Sequence, residues 1–251
     1  MTISIITVSY NSAHTIADTI ESVLNQTYPD IEYIIIDGNS TDGTQDIVKS
    51  YGEKITTFIS EKDGGIYHAM NKGLQLATGA VIGILNSDDV YANSEVLQKV
   101  IECFNNSHAE ICYGNLNYVQ SKNLNAVTRV WEAGKHHAKS FHYGWMPPHP
   151  TVFVKKELYK KVGFFNVKLK SAADYEMMLR MFVKFKCRAS YIPHLLVKMR
   201  TGGTSNASIK NRIKANREDR MAWKLNDLKP YFFTLPLKPL RKISQFVRLR
   251  K

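Results

Sequence analysis

The sequence predicts an α/β protein built on a mostly parallel sheet flanked by helices, and three observations predict it. Short β-branched runs alternate with amphipathic stretches four times within the first 90 residues. Each run ends in a loop rich in Ser, Asn, Asp or Gly. The fourth run, residues 80–85, leads directly into Asn86, Ser87, Asp88 and Asp89. Strand–loop–helix units joined by right-handed crossovers build a parallel sheet, which gathers such loops on one edge. Ligands of open α/β sheets bind just beyond that edge.

Taken in order, residues 4–8 read as a strand, and Ser9, Tyr10, Asn11 and Ser12 supply turn and capping residues. Ile16, Ile20, Val23 and Leu24 follow at helical spacing, and Pro29 closes that element. Residues 33–36 form a second buried strand, ending in Asp37, Gly38, Asn39, Ser40, Thr41, Asp42, Gly43 and Thr44. A helix near 44–51 and a strand over 55–60 lead to a third polar loop, Glu61, Lys62, Asp63, Gly64 and Gly65. Ile66, Ala69, Met70, Gly73, Leu74 and Ala77 make the next helical stripe, ahead of the strand that carries the two aspartates.

Beyond Asp89, a helix carries Val96, Leu97, Val100, Ile101 and Phe104, and residues 111–119 and 126–131 read as a hairpin. The stretch 135–150 is irregular, with His136, His137, His142 and His149 among Gly and Pro. Four histidines invite a metal reading, but no spacing fixes them on one face. A strand at 151–155, a helix at 174–185, a short strand at 195–199 and a polar, basic helix at about 209–225 complete the pass.

Composition narrows the function. The length, 251 residues, suits one large α/β domain or two small ones. Cys103, Cys112 and Cys187 have neither metal-ligand nor disulfide-framework spacing, which fits a reducing cytoplasm. No signal peptide is expected, and no apolar run approaches the ~20 residues of a membrane-spanning helix. Residues 1–134 hold 7 Lys/Arg against 16 Asp/Glu, whereas residues 135–251 hold 27 against 6. A uniformly basic nucleic-acid binder lacks that asymmetry. An acidic half that takes a metal, joined to a basic half that meets phosphate or membrane, has it.

Adjacent carboxylates at a strand end repel, and a divalent cation is the usual remedy. Hard oxygen ligands point to Mg²⁺ or Mn²⁺. The plainer alternative is a turn in which Asp88 or Asp89 caps a helix beginning near Ser94.

The ordered set Val8-Ser9-Tyr10-Asn11, the 37–44 loop, the 61–73 stretch, Leu85-Asn86-Ser87-Asp88-Asp89 and Ala172-Ala173-Asp174-Tyr175 resembles the inverting, nucleotide-sugar-dependent glycosyltransferases of family 2. The resemblance runs from residue 3 to about 205, and the order of the motifs is far more specific than any one of them. It implies the GT-A fold, a Rossmann-like sheet with a nucleotide-binding half (1–89), an acceptor half (90–227) and a basic tail (228–251). The subgroup with this 37–44 loop and Gly-Gly-Ile-Tyr-His-Ala-Met-Asn-Lys-Gly is similar to transferases of bacterial O-antigens and surface polysaccharides.

That family's chemistry assigns roles. Asp89, helped by Asp88, would hold the cation that neutralises the departing diphosphate. Val8, Tyr10, Asp37 and Asp63 would contact the base and ribose of a donor, best matched by UDP. Family members often have two consecutive acids in the second loop; here the second is Gly38, so one base contact is missing. Lys72 would face the phosphates, as would Arg200 with the Gly202-Gly203-Thr204-Ser205 loop. Asp174 matches the family's general base, although Ala173 replaces the acid before it. His149 flanks the acceptor pocket. One displacement would invert configuration and transfer a hexosyl or N-acetylhexosaminyl group.

After Asp227 there is no acid, but there are seven Lys/Arg interleaved with bulky apolar residues. Leu240, Ile243, Phe246 and Val247 fall at helical spacing, so a basic amphipathic helix on an anionic membrane is expected, serving a glycan or polyprenyl-diphosphate-linked acceptor. The protein would then be peripheral on the inner face of the cell membrane. Two other functions compete with this reading. A sugar nucleotidyltransferase needs a Gly-rich, Arg- and Lys-bearing loop after the first strand, where this chain has Ser9-Tyr10-Asn11-Ser12. A non-catalytic nucleotide- or sugar-binding module has only the basic half in its favour, and no nucleic-acid motif accompanies it.

Overall fold

The computed structural model describes residues 1–202, 209–242 and 245, with the backbone alone for 209–216. The four expected runs are strands β1 (Ile3–Ser9), β2 (Ile31–Asp37), β3 (Thr57–Ser60) and β4 (Val81–Ile84). They pair in parallel in the order β3-β2-β1-β4. Between them run α1 (Ile16–Leu24), α2 (Thr44–Ser50) and α3 (Ile66–Leu76). Alternate residues of β1 enter different cores: Ile3 and Ile5 join the layer under α1, and Ile6 and Val8 join the layer under α3. A sheet covered on both faces has no polar side, hence the unbroken apolar runs. Gly73 lets α3 lie close to β1, since a Cβ there would stand 2.4 Å from Ile6 Cγ2.

The second half makes the sheet mixed. Here β5 (Asp89–Tyr91), α4 (Val96–Asn105), β6 (Ile111–Gln120) and β7 (Asn123–Trp131) precede β8 (Phe153–Lys155) and α5 (Lys156–Val162). They are followed by α6 (Ala173–Leu179), β9 (Ala189–Arg200), α7 (Ile209–Leu225) and α8 (Thr234–Leu240). The full order is β3-β2-β1-β4-β8-β6-β9-β5, with β7 on β6. Among these pairings β6–β9 is parallel, whereas β8 runs antiparallel to both β4 and β6.

Several elements differ from the sequence reading. The aspartate pair does not cap a helix: Asp89 opens β5, which pairs antiparallel with Val197–Met199 of β9. Strand β9 begins six residues before the expected 195 and passes Pro193 in a register shift between Tyr113/Tyr191 and Asn115/Leu195, where the missing N–H is tolerated. The helix expected over 174–185 is α-helical only to Leu179 and π-helical over Arg180–Lys184. Helix α5 was not expected at all.

The described part of the tail packs on the domain. Thr234 is buried and its hydroxyl donates to the His142 carbonyl at 2.6 Å. Lys238 Nζ pairs with the buried Asp219 of α7 at 2.8 Å and sits 3.5 Å above the Tyr175 ring centroid. Gly144, at φ 74°, leaves room for this approach, since a Cβ there would meet Lys238 N at 2.7 Å. The expected contacts of Gly203, Thr204 and Ser205, and the helical face of Ile243, Phe246 and Val247, lie outside the described residues.

Candidate active site at the ends of the parallel strands

The first two loops interlock. Asp37, fully buried at the end of β2, accepts hydrogen bonds from Ser9 Oγ at 2.9 Å, Ser40 Oγ at 2.5 Å, Ser40 N at 2.8 Å and Ser60 Oγ at 2.7 Å. Its carboxylate ties three strand ends together. Asn11 and Asn39 adopt φ of 49° and 63°, a region Asn tolerates better than most side chains. Asn11 N donates to Ser40 Oγ at 2.8 Å, and Asn11 Oδ1 accepts from Thr41 N at 3.0 Å. At the missing second acid, a Cβ on Gly38 would stand 3.2 Å from Tyr10 Cδ2, so a side chain there would require that ring to shift by a few tenths of an ångström. Tyr10 itself is 68% exposed above this loop, while Val8 is buried beneath it.

Asp89 is the opposite case. It is fully buried, Oδ2 accepts from Asn86 Nδ2 at 3.1 Å, and Oδ1 has no hydrogen-bond partner. Burial, then the charge of Asp88, pushes its carboxyl well above the usual carboxylate range. Burial also raises Asp88, against the pull of Arg200 and His149. Asn86 Oδ1 is likewise buried without a partner. Unsatisfied buried oxygens beside a second carboxylate fit a hard divalent cation. Among the described residues no three His, Cys, Asp or Glu side chains converge on a metal position, so two acids are what the described residues offer at this turn.

Asp174 stands in the first turn of α6. Its Oδ1 accepts from Tyr67 Oη at 3.2 Å, and its Oδ2 lies 3.4 Å from His149 Nδ1. Burial, then the charge of Asp174, pushes the Tyr67 hydroxyl far up, so it stays a donor. Asp174 and His149 line a cleft floored by Met70, Ile84 and Met177. His149 also lies within electrostatic reach of Asp88, and Tyr118 within reach of both Asp89 and Asp174. The two carboxylate sets therefore lie within electrostatic reach of common neighbours.

Tyr67, Tyr118 and Arg129 join the candidate site in the structure, and the sequence reading does not single them out. Arg129 lies opposite Tyr118 on β7, its guanidinium 4.2 Å from that ring centroid, and Arg129 Nε donates to Gln245 Oε1 at 2.6 Å. A hairpin register carries no local motif, so only the Tyr67 position, just past Gly64-Gly65, had a sequence signal.

Two expected phosphate contacts are engaged elsewhere. Lys72 pairs with Asp63 at 2.8 Å and Glu61 at 2.5 Å. Arg200 is 5% exposed; it donates to the Asp88 carbonyl at 2.8 Å and the Ser121 carbonyl at 3.1 Å, and also pairs with Asp18. It braces the aspartate turn from behind. Asp63 keeps one buried oxygen, Oδ2, without a partner. Two histidines of the 135–150 stretch are aromatic packing: His136 lies among Phe141, Trp145 and Phe182, and His142 lies against Trp223 and Tyr231.

Comparison with known proteins agrees with this geometry. The profile of glycosyl transferase family 2 matches residues 4–165. TuaG of Bacillus subtilis, a glycosyltransferase assigned to teichuronic acid biosynthesis, is 42% identical over 103 residues, 40% of each chain. A PGL/p-HBAD biosynthesis glycosyltransferase of Mycobacterium bovis is 28% identical over 82% of this chain and 80% of its own. In structure, Staphylococcus aureus TarS 1–349 bound to UDP-GlcNAc superposes with a TM-score of 0.70 at 20% identity, covering 90% of this chain and 65% of TarS 1–349. The mannosyltransferase PcManGT of Pyrobaculum calidifontis, bound to GDP-Man and Mn²⁺, gives 0.64 at 20% identity over 98% of this chain and 70% of its own. At these identities the two structures establish the GT-A architecture.

Proposed function

Since the chain belongs to glycosyl transferase family 2 and is a glycosyltransferase, we propose that it moves a hexosyl or N-acetylhexosaminyl group from a UDP-linked donor to a glycan or lipid-linked acceptor in bacterial surface polysaccharide synthesis. One observation carries the reading. A buried carboxylate with an unsatisfied oxygen, Asp89, and a second carboxylate held by Tyr67 and His149, Asp174, both lie within electrostatic reach of Tyr118.

Asp89 and Asp88 would hold Mn²⁺ or Mg²⁺, which when bound supplies positive charge to the leaving diphosphate. The uracil would rest by Tyr10 and Val8, with Asp63 Oδ2 accepting an N–H and Asp37 acting by holding the loops together. Lys72 keeps Asp63 in place, and Arg200 keeps the Asp88 carbonyl in place. Asp174 takes the proton of the acceptor hydroxyl as that oxygen bonds to the anomeric carbon, while the bond from that carbon to the diphosphate oxygen breaks. UDP departs on the opposite side, so an α-linked donor yields a β-linkage. Residues 1–89 serve the donor, 90–227 the acceptor. Residues 228–251 bring the enzyme to the cytoplasmic membrane face; no described helix is long and apolar enough to cross a membrane.

The test is calorimetric titration of UDP and GDP with and without Mn²⁺, followed by a screen of their sugars for metal-dependent hydrolysis. Mn²⁺-dependent UDP binding with hydrolysis of at least one UDP-sugar is expected. Metal-independent binding without turnover of any donor would point to a binding module.

A further inference from the structure

Cys103 and Cys112 carry no spacing signal in the sequence, yet the fold brings their sulfurs into contact. Cys103 stands in the last turn of α4 and Cys112 near the start of β6. The Cys112 thiol donates a hydrogen bond to Cys103 Sγ at 2.9 Å. Cys112 is fully buried, whereas Cys103 is partly exposed. The hydrogen bond from Cys112 lowers the Cys103 thiol to about 7, against burial and with help from the hydroxyls of Ser190 and Ser107. The same hydrogen bond, and then burial, raises Cys112 far above the ordinary thiol range. Cys187 is the ordinary case: it is buried, and burial pushes its thiol up to about 11. Such a cysteine is an inert core residue. The pair differs from it in two respects, since one sulfur can be reached from solvent and a second sulfur lies against it.

We propose that Cys103 and Cys112 are an oxidative modification site, at which hydrogen peroxide links α4 to β6 through a reversible disulfide. The Cys103 thiolate attacks one peroxide oxygen, and the O–O bond breaks. The other oxygen takes up the proton that the Cys103 thiol had released and leaves as water. The product is a sulfenic acid on Cys103. Cys112 Sγ then attacks that sulfur, the S–O bond breaks, and the hydroxyl departs as water with the Cys112 proton. Two thiols are oxidised by two electrons, and one peroxide is reduced to two waters. A thiol that ionises near ambient pH is the best attacking group, and sulfurs already in contact need little movement to bond. Capture by Cys112 also holds Cys103 at the reversible stage, ahead of sulfinic acid. In a reducing compartment such bonds are transient and serve sensing. Cys112 belongs to the core layer under α1 and α4, whereas Tyr67 and Tyr175 belong to the other layer. The inference does not depend on the transferase reading.

The experiment uses the full chain, reduced, freed of reductant and exposed to hydrogen peroxide at neutral pH. Free thiols are then blocked with iodoacetamide in urea and the digest is mapped by mass. Both cysteines fall in one tryptic peptide, residues 100–122, which excludes Cys187. That peptide should lose two hydrogens and regain them with dithiothreitol, while Cys187 stays a free thiol. The folded chain should close the bond at least about tenfold faster than the chain unfolded in urea, because the fold holds the sulfurs together. Cys112→Ala should let Cys103 run on to sulfinic acid, and Cys103→Ala should leave Cys112 unoxidised. The wild-type readings decide the matter even where an alanine variant fails to fold. Equal rates in folded and unfolded chains would overturn the proposal. So would oxygen added to the wild-type peptide without a link, a disulfide between two chains, or oxidation of Cys187 ahead of the pair.

Discussion

The ends of β2 and β4 each lead to a fully buried aspartate, and the two are built in opposite ways. Asp37 receives four hydrogen bonds from Ser9, Ser40 and Ser60. Asp89 receives one side-chain hydrogen bond, from Asn86, its Oδ1 has no hydrogen-bond partner, and the nearby backbone and charge of Arg200 only partly offset its burial. A charge surrounded by fixed donors is a structural tie, since its desolvation is offset within the fold. A charge left short of partners costs stability unless a ligand completes it, and such costs concentrate at functional sites. Residue type and strand position alone make these two aspartates look alike. Their donors tell them apart.

The largest effect should come from Asp89→Ala, which removes the unsatisfied carboxylate. Metal-dependent transfer should fall below detection while circular dichroism stays native. Near-wild-type turnover in Mn²⁺ would dissolve the distinction between the two aspartates. Asp174→Asn should follow, lowering kcat by ~10²–10⁴-fold, the usual worth of a general base. UDP affinity should hold, because the proposed mechanism puts Asp174 on the acceptor side. Parallel loss of UDP binding would move Asp174 to the donor side.

Stability sharpens the contrast, because the two substitutions should act with opposite sign in metal-free buffer. Asp37→Asn replaces an acceptor that serves four donors with an amide that cannot serve them all, at about 2–3 kcal/mol. Asp89→Asn removes a buried, poorly paired charge and should stabilise by about 1 kcal/mol or more. The pH sign agrees. A carboxyl raised in the folded state favours folding fully below its unfolded pKa and loses that contribution as pH rises through the folded value. The gap between variant and wild type should therefore widen toward neutral pH, and Mn²⁺ should close it by stabilising wild type alone. Urea titrations with and without EDTA measure this. Destabilisation of both variants would mean that both aspartates are structural.

Legibility in the sequence followed the range of the interactions. The four parallel strands and their loops were readable because each is a local pattern: a β-branched run, then turn residues. The aspartate pair and Asp174 stood out as candidates because they lie inside ordered motifs, at a strand end and at the start of α6. What escaped was long-range. Strand β5 exists only because Val197–Met199 comes back beside it. Tyr118 and Arg129 meet across a hairpin, 11 positions apart in the chain, and their nearness to Asp89 and Asp174 depends on how that hairpin folds over. Arg200 looked like a free cation near a glycine loop, yet its partners Asp18, Asp88 and Ser121 come from three other segments. The docking of Lys238 onto Asp219 and Tyr175 has no signature beyond a lysine in a basic tail.

An unsatisfied buried atom does not by itself make a ligand site, and His136 tests that boundary with the smallest effect. Its Nε2 is buried without a hydrogen-bond partner, as Asp89 Oδ1 is. Around it, however, stand the rings of Phe182 at 5.0 Å, Trp145 at 5.2 Å and Phe141 at 6.3 Å rather than a second carboxylate. Burial, then the neighbouring His137, lowers its pKa below the ordinary histidine value. The unfolded chain thus takes up a proton near pH 6.5 that the folded one still refuses. Its contribution to stability is full above the unfolded pKa and is lost as pH falls through 6.5 toward the lower folded value. The slope is at most about 1.4 kcal/mol per pH unit for one proton. His136→Phe keeps the ring packing and cannot be protonated, so its unfolding midpoint should fall less than wild type's between pH 7.5 and 5.5. His142, also lowered by burial, leaves a residual slope in that variant. Transfer activity at pH 7.5 should be retained, since the ring serves packing alone. Parallel pH profiles for variant and wild type would show that His136 is already solvated or charged in the fold, and its orphaned nitrogen would need another explanation.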